Sequence, residues 1–257
     1  MSLLFARVLY QGRPWSAAVD GDKADLFEGD WLRDGKGSTV HRVSLEEITW
    51  LPPVEPRTIL CVGRNYQAHA AEMNSDVPKT PLFFLKQLGA LNAHQAIVHR
   101  PVWAGRLDYE GELVLVMGKT VRNVTSSDEA MAAVAGMTVG NDYTARELQS
   151  SDGQWTRAKG FDDFAPVGPW VLMDNHPEGR RVTTAVNGTI RQDASTDEMI
   201  FGCDRLIMEA SRFMTLHPGD LIFTGTPSGI GPVGEGDIVT VTVQGIGTLS
   251  NSIKNGD

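Results

Sequence analysis

The sequence predicts a mainly β protein of the α+β class, because strand signals outnumber helix signals and the two do not alternate regularly. Short β-prone runs recur between turns rich in Gly, Pro, Asn and Asp along the 257 residues. A hydrophobic share of 41% together with 27 glycines is typical of a globular chain with a core of its own.

The chain begins with a predicted hairpin. Two β-prone stretches, residues 4–10 and 16–19, flank the turn residues Gln11-Gly12-Arg13-Pro14. Residues 51–56, Leu-Pro-Pro-Val-Glu-Pro, have the composition of a stiff connector. We place a domain boundary there, between a small β-rich N-terminal domain (residues 1–51) and a larger domain (residues 57–257).

The larger domain contains most of the predicted elements. Three helices are predicted. Helix formers predict one at 67–73, a Ser cap followed by acidic residues predicts one at 127–135, and apolar residues at helical spacing predict one at 200–216. Apolar and β-branched runs predict strands at 58–62, 82–85, 97–99, 110–117, from about 135 to 142, 182–186, 221–224 and 238–243.

Charge and cysteine content exclude several classes. The net charge is −9, and no run of Lys or Arg provides the positive surface that nucleic acids or anionic membranes require. Cys61 and Cys203 belong to no metal or redox motif, so we interpret them as buried thiols in a reducing compartment. The N-terminus lacks the pattern of a signal peptide, and no apolar run is long enough to span a membrane. We therefore expect a cytoplasmic protein that binds neither nucleic acid nor membrane.

One glycine motif is rejected. Residues 229–234, Gly-Ile-Gly-Pro-Val-Gly, fit the dinucleotide pattern, but that pattern requires a helix to begin there. Pro232 and the β-branched run 238–243 predict a strand instead.

Three acidic residues are candidate metal ligands. Glu110 and Glu112 stand two apart in a predicted strand and therefore share a face, which continues with apolar residues. Asp142 ends another apolar strand, and a third carboxylate there completes a ligand set that suits a hard cation. Two alternatives stay open: a solvated strand end for the glutamates, and a helix N-cap for Asp142.

Three further residues are candidates for proton transfer or charge stabilisation. His69 and Glu72 stand three apart on a predicted helix, so the carboxylate can orient the imidazole. A surface His/Glu pair is the alternative. Lys159 is either catalytic or an exposed lysine.

These residues lie within a series of motifs that resembles the fumarylacetoacetate hydrolase family over about residues 58 to 255. The motifs, in order, are Val62-Gly-Arg64-Asn-Tyr-x-x-His69-x-x-Glu72, Phe83-Phe-Leu-Lys86, Asp108-Tyr-Glu110-x-Glu112, Gly140-Asn-Asp142-x-Thr-Ala-Arg-Glu-x-Gln149, Lys159-x-Phe-Asp162, Val186-Asn-Gly188 and Phe223-Thr-Gly225-Thr226-Pro-x-Gly229. One departure is Asp163, where the family often has Thr or Ser, and it adds a negative charge near Lys159 or faces solvent.

The resemblance implies a mixed β-sandwich roll that forms a homodimer and binds Mg²⁺ or Mn²⁺ through Glu110, Glu112 and Asp142. It also implies a His69–Glu72 dyad on a lid helix and a Lys159 beside the substrate. Substrate contacts would come from four residues: Arg64, Gln149, Gly225 and Thr226.

The family acts on 2-oxo or enol carboxylic acids through an enolate. The ending Val-Gln-Gly-Ile-Gly-Thr-Leu-Ser-Asn resembles members that isomerise 2-hydroxyhepta-2,4-diene-1,7-dioate or 5-carboxymethyl-2-hydroxymuconate in the breakdown of aromatic compounds. We therefore expect an isomerase or decarboxylase of such diacids. The alternatives are an oxaloacetate decarboxylase, an acylpyruvate hydrolase, and a metal-binding scaffold without turnover.

Overall fold

The computed structural model describes residues 3–73 and 75–256, and strands predominate, with 44% of the chain against 19% in helices. The predicted fold class, a mainly β protein with several sheets, is confirmed. Within the described residues, no helix is both long and apolar enough to cross a membrane.

The strands are numbered in chain order. They are β1 (Leu4–Tyr10), β2 (Arg13–Asp20), β3 (Lys23–Phe27), β4 (His41–Ser44), β5 (Thr49–Leu51), β6 (Ile59–Gly63), β7 (Leu82–Lys86), β8 (Leu91–Ala93), β9 (Ile97–Pro101), β10 (Leu107–Tyr109), β11 (Gly111–Met117), β12 (Val134–Asn141), β13 (Thr144–Ala145), β14 (Ala165–Leu172), β15 (Arg181–Val186), β16 (Thr189–Ser195), β17 (Leu221–Phe223), β18 (Gly231–Val233), β19 (Ile238–Val243) and β20 (Gly247–Gly256).

The helices are short. The α-helices are α1 (Trp31–Asp34), α2 (Gln67–Glu72), α3 (Ser127–Met131), α4 (Arg146–Asp152), α5 (Thr156–Lys159) and α6 (Cys203–Phe213). Single 3₁₀ turns lie at Leu45–Glu47, Leu88–Ala90, Val102–Ala104 and Thr196–Glu198.

A large mixed sheet and a smaller sheet face each other. The main path of the large sheet runs β4-β3-β2-β1-β14-β12-β11-β17-β6-β7, and the smaller one runs β16-β15-β19-β20-β9. Strands β11, β12 and β14 pack against β15, β19 and β20 of the smaller sheet. All seven residues of β11 are buried, so the strand that follows Glu110 lies in the core with both faces covered.

The predicted N-terminal hairpin forms, with β1 and β2 paired antiparallel from Leu4↔Val19 to Tyr10↔Arg13. The same β1 also pairs with β14 at Leu4↔Leu172, so the N-terminal strands continue the large sheet. The division into domains 1–51 and 57–257 stays a prediction.

Several predicted elements have other bounds in the structure, and the two longest predicted helices are shorter than expected. The helix predicted at 127–135 ends at Met131, because Val134 already pairs in β12. The helix predicted at 200–216 covers Cys203–Phe213. The strand predicted at 110–117 is interrupted at Glu110, whose N–H donates to the Asn141 side chain at 2.8 Å instead of to a neighbouring strand.

The rejected dinucleotide motif lies in the 3-stranded sheet β13-β10-β18. Its residues 231–233 form β18, which pairs with β10 at Tyr109↔Gly231, so strand geometry takes the place of the helix that a pyrophosphate site would need.

Candidate active site

The three predicted metal ligands converge at one end of the β11–β12 pair. These two strands are antiparallel, with Gly111 opposite Asn141 and Glu112 opposite Gly140. That register brings the start of β11 beside the end of β12, and the Asp142 N–H donates to the Glu110 carbonyl at 2.8 Å. One side-chain oxygen from each of Glu110, Glu112 and Asp142 lies within 4.8 Å of the others.

Three basic side chains surround this carboxylate cluster. Lys159, at the end of α5, donates to Glu110 Oε2 at 2.8 Å and to Asp142 Oδ2 at 2.6 Å. Lys86, at the end of β7, forms an ion pair with the other oxygen of Asp142. Arg146, at the start of α4, donates to Glu110 Oε1 at 2.5 Å. Lys159 is therefore a buried, paired lysine, and the alternative of an exposed side chain does not apply.

Glu112 is held differently from the other two carboxylates. Its Oε2 accepts the Gly225 N–H at 2.7 Å, and no Lys or Arg of the described residues forms an ion pair with it. Burial and then the negative charges of Asp142 and Glu110 raise the pKa of Glu112 well above its usual value. Burial acts in the same sense and is the largest single influence on Glu110, but the charges of Lys159 and Arg146 and the hydrogen bond from Lys159 together outweigh it and lower the pKa of that carboxyl.

This donor set fits a divalent cation. Carboxylate oxygens are the ligands that Mg²⁺ and Mn²⁺ prefer, and the three residues are between 1% and 4% exposed. A cation among them would offset the repulsion that raises the pKa of Glu112. The N-cap alternative for Asp142 does not apply, since α4 begins after Ala145 without a side-chain cap.

The predicted His69–Glu72 dyad lies on α2. Glu72 Oε2 is 3.1 Å from His69 Nδ1. His69 is only 5% exposed, so its imidazole is not on the surface, whereas Glu72 is exposed. Because Nδ1 is engaged, the dyad leaves Nε2 of the imidazole for proton transfer.

A cavity of about 300 Å³ joins the dyad to the carboxylate cluster. The predicted residues that line it are Arg64, His69, Glu110, Asp142, Gln149, Lys159 and Thr226. The other three predicted residues lie next to lining residues: Glu72 contacts His69, and Glu112 lies beside Glu110 and Asp142 and accepts from Gly225. Another cavity, of about 270 Å³, lies beside Arg7, Trp15 and Pro218 and contains none of the predicted site residues.

The predicted substrate-binding residues differ in how they are held. Arg146 donates to Gln149 Oε1 at 2.6 Å, so the Gln149 amide nitrogen is the group left to donate to a ligand. Thr226 Oγ1 donates to the Gly111 carbonyl at 2.9 Å and accepts from Gln192 at 2.7 Å. The Gly225 N–H donates to Glu112 and is therefore not available to a substrate.

Arg64 adopts a left-handed backbone conformation with φ of +57°. Its guanidinium carbon lies 5.8 Å from the ring centroid of Trp155, in the range of a cation–π contact. A non-glycine residue in this conformation is uncommon and is concentrated at functional sites.

Sequence reasoning assigned no role to Lys86, Arg146 or Asp108. Asp108 is fully buried and accepts from Arg106 Nε at 2.5 Å and from Arg146 Nε at 2.9 Å. The motifs contained a signal that could have identified two of them. Lys86 ends an apolar strand and Arg146 follows the candidate ligand Asp142 by four residues, and solvated cations are unusual at such positions.

Asp163 does not form an ion pair with Lys159. Its carboxylate is 2.6 Å from His99 Nδ1, outside the cavity. Asp163 therefore contacts an exposed histidine instead of Lys159.

Comparisons with known proteins agree with the motifs. The model of the fumarylacetoacetate (FAA) hydrolase C-terminal family matches residues 58–254. The chain is 39% identical over 241 residues to oxaloacetate tautomerase YisK of Bacillus subtilis, covering 87% of this chain and 79% of that protein.

Two solved structures are also similar. One is 2-hydroxyhepta-2,4-diene-1,7-dioate isomerase of Mycobacterium marinum, with a TM-score of 0.90, 35% identity and coverage of 98% of both chains. The other is fumarylpyruvate hydrolase of Pseudomonas aeruginosa in complex with Mn²⁺ and pyruvate, with a TM-score of 0.75 and 36% identity, covering 79% of this chain and 91% of that one.

Proposed function

Because this chain belongs to the fumarylacetoacetate hydrolase family of enzymes, we propose that it is a divalent-metal-dependent isomerase of 2-oxo and 2-hydroxydienoic dicarboxylic acids. The observation that carries the proposal is the position of His69, which pairs with Glu72 and lines the same cavity as Glu110, Asp142 and Lys159. Isomerisation needs a proton carrier, and this dyad supplies one.

The proposed reaction moves a proton along the substrate. With a 2-hydroxydienoic acid, His69 Nε2 takes the proton of the 2-hydroxyl, and the O–H electron pair forms an enolate. The same nitrogen returns the proton to a carbon further along the conjugated system, which leaves a 2-oxo acid, so no group is gained or lost. With oxaloacetate, His69 moves the proton between the carbon next to the oxo group and the oxo oxygen. Lys159 places a positive charge in the cavity where the enolate develops its negative charge.

Glu110, Glu112 and Asp142 are the residues that would hold Mg²⁺ or Mn²⁺. When bound there, the cation would supply Lewis-acid chemistry that lowers the energy of an enolate. The Mn²⁺ and pyruvate in the complex of the Pseudomonas aeruginosa relative support this assignment by analogy.

The charge balance favours an anionic substrate. Asp108 and Arg146 offset each other, so three ligand carboxylates face two lysines, Lys86 and Lys159, and with all three ligands ionised these side chains sum to −1. A divalent cation changes this to +1, which one substrate carboxylate neutralises. Gln149 and Thr226 line the same cavity and are the proposed contacts of that carboxylate, Gln149 through its amide nitrogen and Thr226 through its backbone N–H, since the Thr226 hydroxyl already donates to Gly111. Gly225 holds Glu112 from the same loop.

Arg64 would then bind a second carboxylate and favour diacids. It lines the cavity and stacks on Trp155, so its charge is held at one wall. Replacing Arg64 by Gln should lower kcat/KM for a diacid such as oxaloacetate by about tenfold or more, as for loss of a charge-assisted hydrogen bond. The kcat/KM of a 2-oxo monoacid should change by less than threefold, and equal losses for both acids would contradict this role.

The function is tested by separating proton transfer from decarboxylation. With Mg²⁺ or Mn²⁺ added, the protein should catalyse the tautomerisation of oxaloacetate and the isomerisation of 2-hydroxydienoic diacids, and EDTA should abolish both. His69→Asn should slow these reactions by about 10² or more, because a positioned base is lost. Decarboxylation of oxaloacetate, which needs only the electron sink, should fall much less.

His99→Asn is the matched control, since His99 also pairs with a carboxylate but lies outside the cavity. If the protein decarboxylates or hydrolyses these acids without isomerising them, the proposed reaction is wrong and the corresponding alternative takes its place. If no 2-oxo acid is turned over, the remaining interpretation is a metal-binding scaffold without catalytic activity.

We propose that the active form is a homodimer. Leu85, Leu88, Val102 and Trp103 are each at least 50% exposed. Gln87, between the two leucines, donates to the Gly160 carbonyl, and Trp103 packs edge-on against Phe161, so the two segments approach adjacent residues. An apolar group of this kind is typical of a surface covered by a partner. Light scattering of the protein and of Leu85→Glu should give a dimer and a monomer respectively.

The cytoplasm is the proposed location, since both buried cysteines, Cys61 and Cys203, are free thiols.

A further inference from the structure

Gly229 is held from two sides in the loop that precedes β18. The Tyr109 hydroxyl donates to the Gly229 carbonyl at 2.8 Å, and the Gly229 N–H donates to Glu72 Oε1 at 3.0 Å. Its φ of +99° favours glycine, and a Cβ would lie 2.1 Å from the Arg191 carbonyl oxygen. The backbone here is therefore fixed in one orientation.

Glu72 uses its two oxygens for different partners. Oε2 faces His69 Nδ1 at 3.1 Å, and Oε1 accepts from Gly229. Both contacts exist together only when α2 lies against the Gly229 loop. The orientation of His69 is consequently coupled to the position of the whole helix.

The helix needs such external support. It has six residues, and its N-cap residue Tyr66 makes no side-chain capping bond. A helix this short is not stable on its own in water. Its N-terminal end is attached where Tyr66 pairs with Met199, and the Glu72–Gly229 bond holds its C-terminal end.

Tyr109 is built into the framework on the other side of the loop. It is 3% exposed, belongs to β10 and immediately precedes the candidate ligand Glu110. Strand β10 pairs with β18 at Tyr109↔Gly231, two residues beyond Gly229. The Tyr109 hydroxyl therefore links the strand beside the carboxylate cluster to the loop, and the Gly229 N–H links the loop to α2.

We propose that Tyr109 is a positioning residue, whose hydrogen bond to Gly229 presents the Gly229 N–H to Glu72 and so holds α2 closed with His69 aimed into the cavity. We name the Tyr109–Gly229–Glu72 chain of hydrogen bonds the clasp. Its role in turnover rests on the proposed function, whereas its role in holding α2 does not.

The test is Tyr109→Phe in the full-length protein, with Tyr143→Phe as the matched control. Tyr143 is also buried and also adjoins a candidate ligand, but its hydroxyl has no hydrogen-bond partner among the described residues. Hydrogen exchange of the amides of α2 is measured with and without Mn²⁺. Loss of one neutral hydrogen bond should speed this exchange about fivefold in Tyr109→Phe and leave it unchanged in Tyr143→Phe.

Kinetics supply the second readout. In Tyr109→Phe, kcat for proton transfer should fall about fivefold, while decarboxylation of oxaloacetate and the affinity for Mn²⁺ stay within twofold of wild type. Equal exchange of α2 in the two Tyr→Phe variants would overturn the proposal. So would a loss of Mn²⁺ affinity large enough to account for the loss of kcat, since Tyr109 would then act through Glu110.

Glu72→Gln separates the two halves of the clasp. The amide oxygen of Gln can still accept from Gly229, which turns its NH₂ group toward His69 Nδ1 and reverses the tautomer of the imidazole. Exchange of α2 should stay slow while proton transfer is lost. Fast exchange in this variant would show that the Gly229 bond does not hold the helix. If no oxoacid is turned over at all, the proposed function fails and the exchange measurements still decide the clasp.

Discussion

Replacing Glu112 by Gln should change the stability of the protein in opposite directions with and without a divalent cation. Gln keeps the shape of the side chain, and its amide oxygen can still accept the Gly225 N–H, which is 2.7 Å from Glu112 in the wild type. Only the charge is lost. That charge is disfavoured in the metal-free fold, because burial and then Asp142 and Glu110 raise the pKa of Glu112 well above 4.5.

The magnitude follows from proton linkage. Between pH 4.5 and the raised pKa, the folded protein holds a proton at Glu112 that the unfolded chain has released. The free energy of unfolding of the metal-free wild type therefore falls as pH rises through this window, by about 1.4 kcal/mol per pH unit from this group. The Gln variant lacks the penalty, so its advantage grows with pH across the window and is constant above it.

Metal reverses the order. At pH 7 the penalty on the charged Glu112 is at most about 3.5 kcal/mol. A cation at about 1,000 times its Kd stabilises the wild type by about 4.1 kcal/mol and outweighs it, which is about 8 to 16 °C in Tm for a chain of this size. Glu112→Gln lacks one ligand and should gain little.

The assay is thermal unfolding at pH 7 in EDTA and in Mn²⁺, with Glu46→Gln, the same change at an exposed side chain, as the control. A lower Tm of Glu112→Gln in EDTA would refute the reasoning, because the charge would then stabilise the fold. An undiminished Mn²⁺ shift in this variant would refute Glu112 as a ligand.

The remaining predictions concern the charges around the same site. Lys159→Met should lower kcat with oxaloacetate by about 10² or more, because the charge that stabilises the developing enolate is lost; a change below threefold would contradict this role. Asp108→Asn should lower the free energy of unfolding by about 2 kcal/mol in urea, because the largely buried Arg146 loses a charged partner; unchanged stability would show that Glu110 suffices to hold Arg146. Mn²⁺ affinity should rise about tenfold per pH unit below the raised pKa of Glu112, because the proton competes with the metal for that oxygen; calorimetry showing no pH dependence would exclude this competition.

Local sequence patterns predicted much of the fold. Turn residues between two β-prone runs predicted the hairpin that β1 and β2 form, and the apolar run after Glu112 predicted the buried strand β11. These features depend on residues close together in the chain, where side-chain alternation and turn chemistry act. Element ends were less accurate: the helix beginning at Ser127 stops at Met131, because pairing of Val134 in β12 outweighs local helix propensity.

The sequence by itself also determined the chemistry available: three carboxylates, a His/Glu pair three apart and a lysine, in the order of one family. Only the tertiary structure decided which of these groups meet. The β11–β12 register brings Asp142 to Glu110, while β7 and α5 deliver Lys86 and Lys159 from opposite directions along the chain. Periodicity reports which face of an element is buried, but the neighbours on that face depend on the order of strands in the sheet, which is set by contacts far apart in sequence.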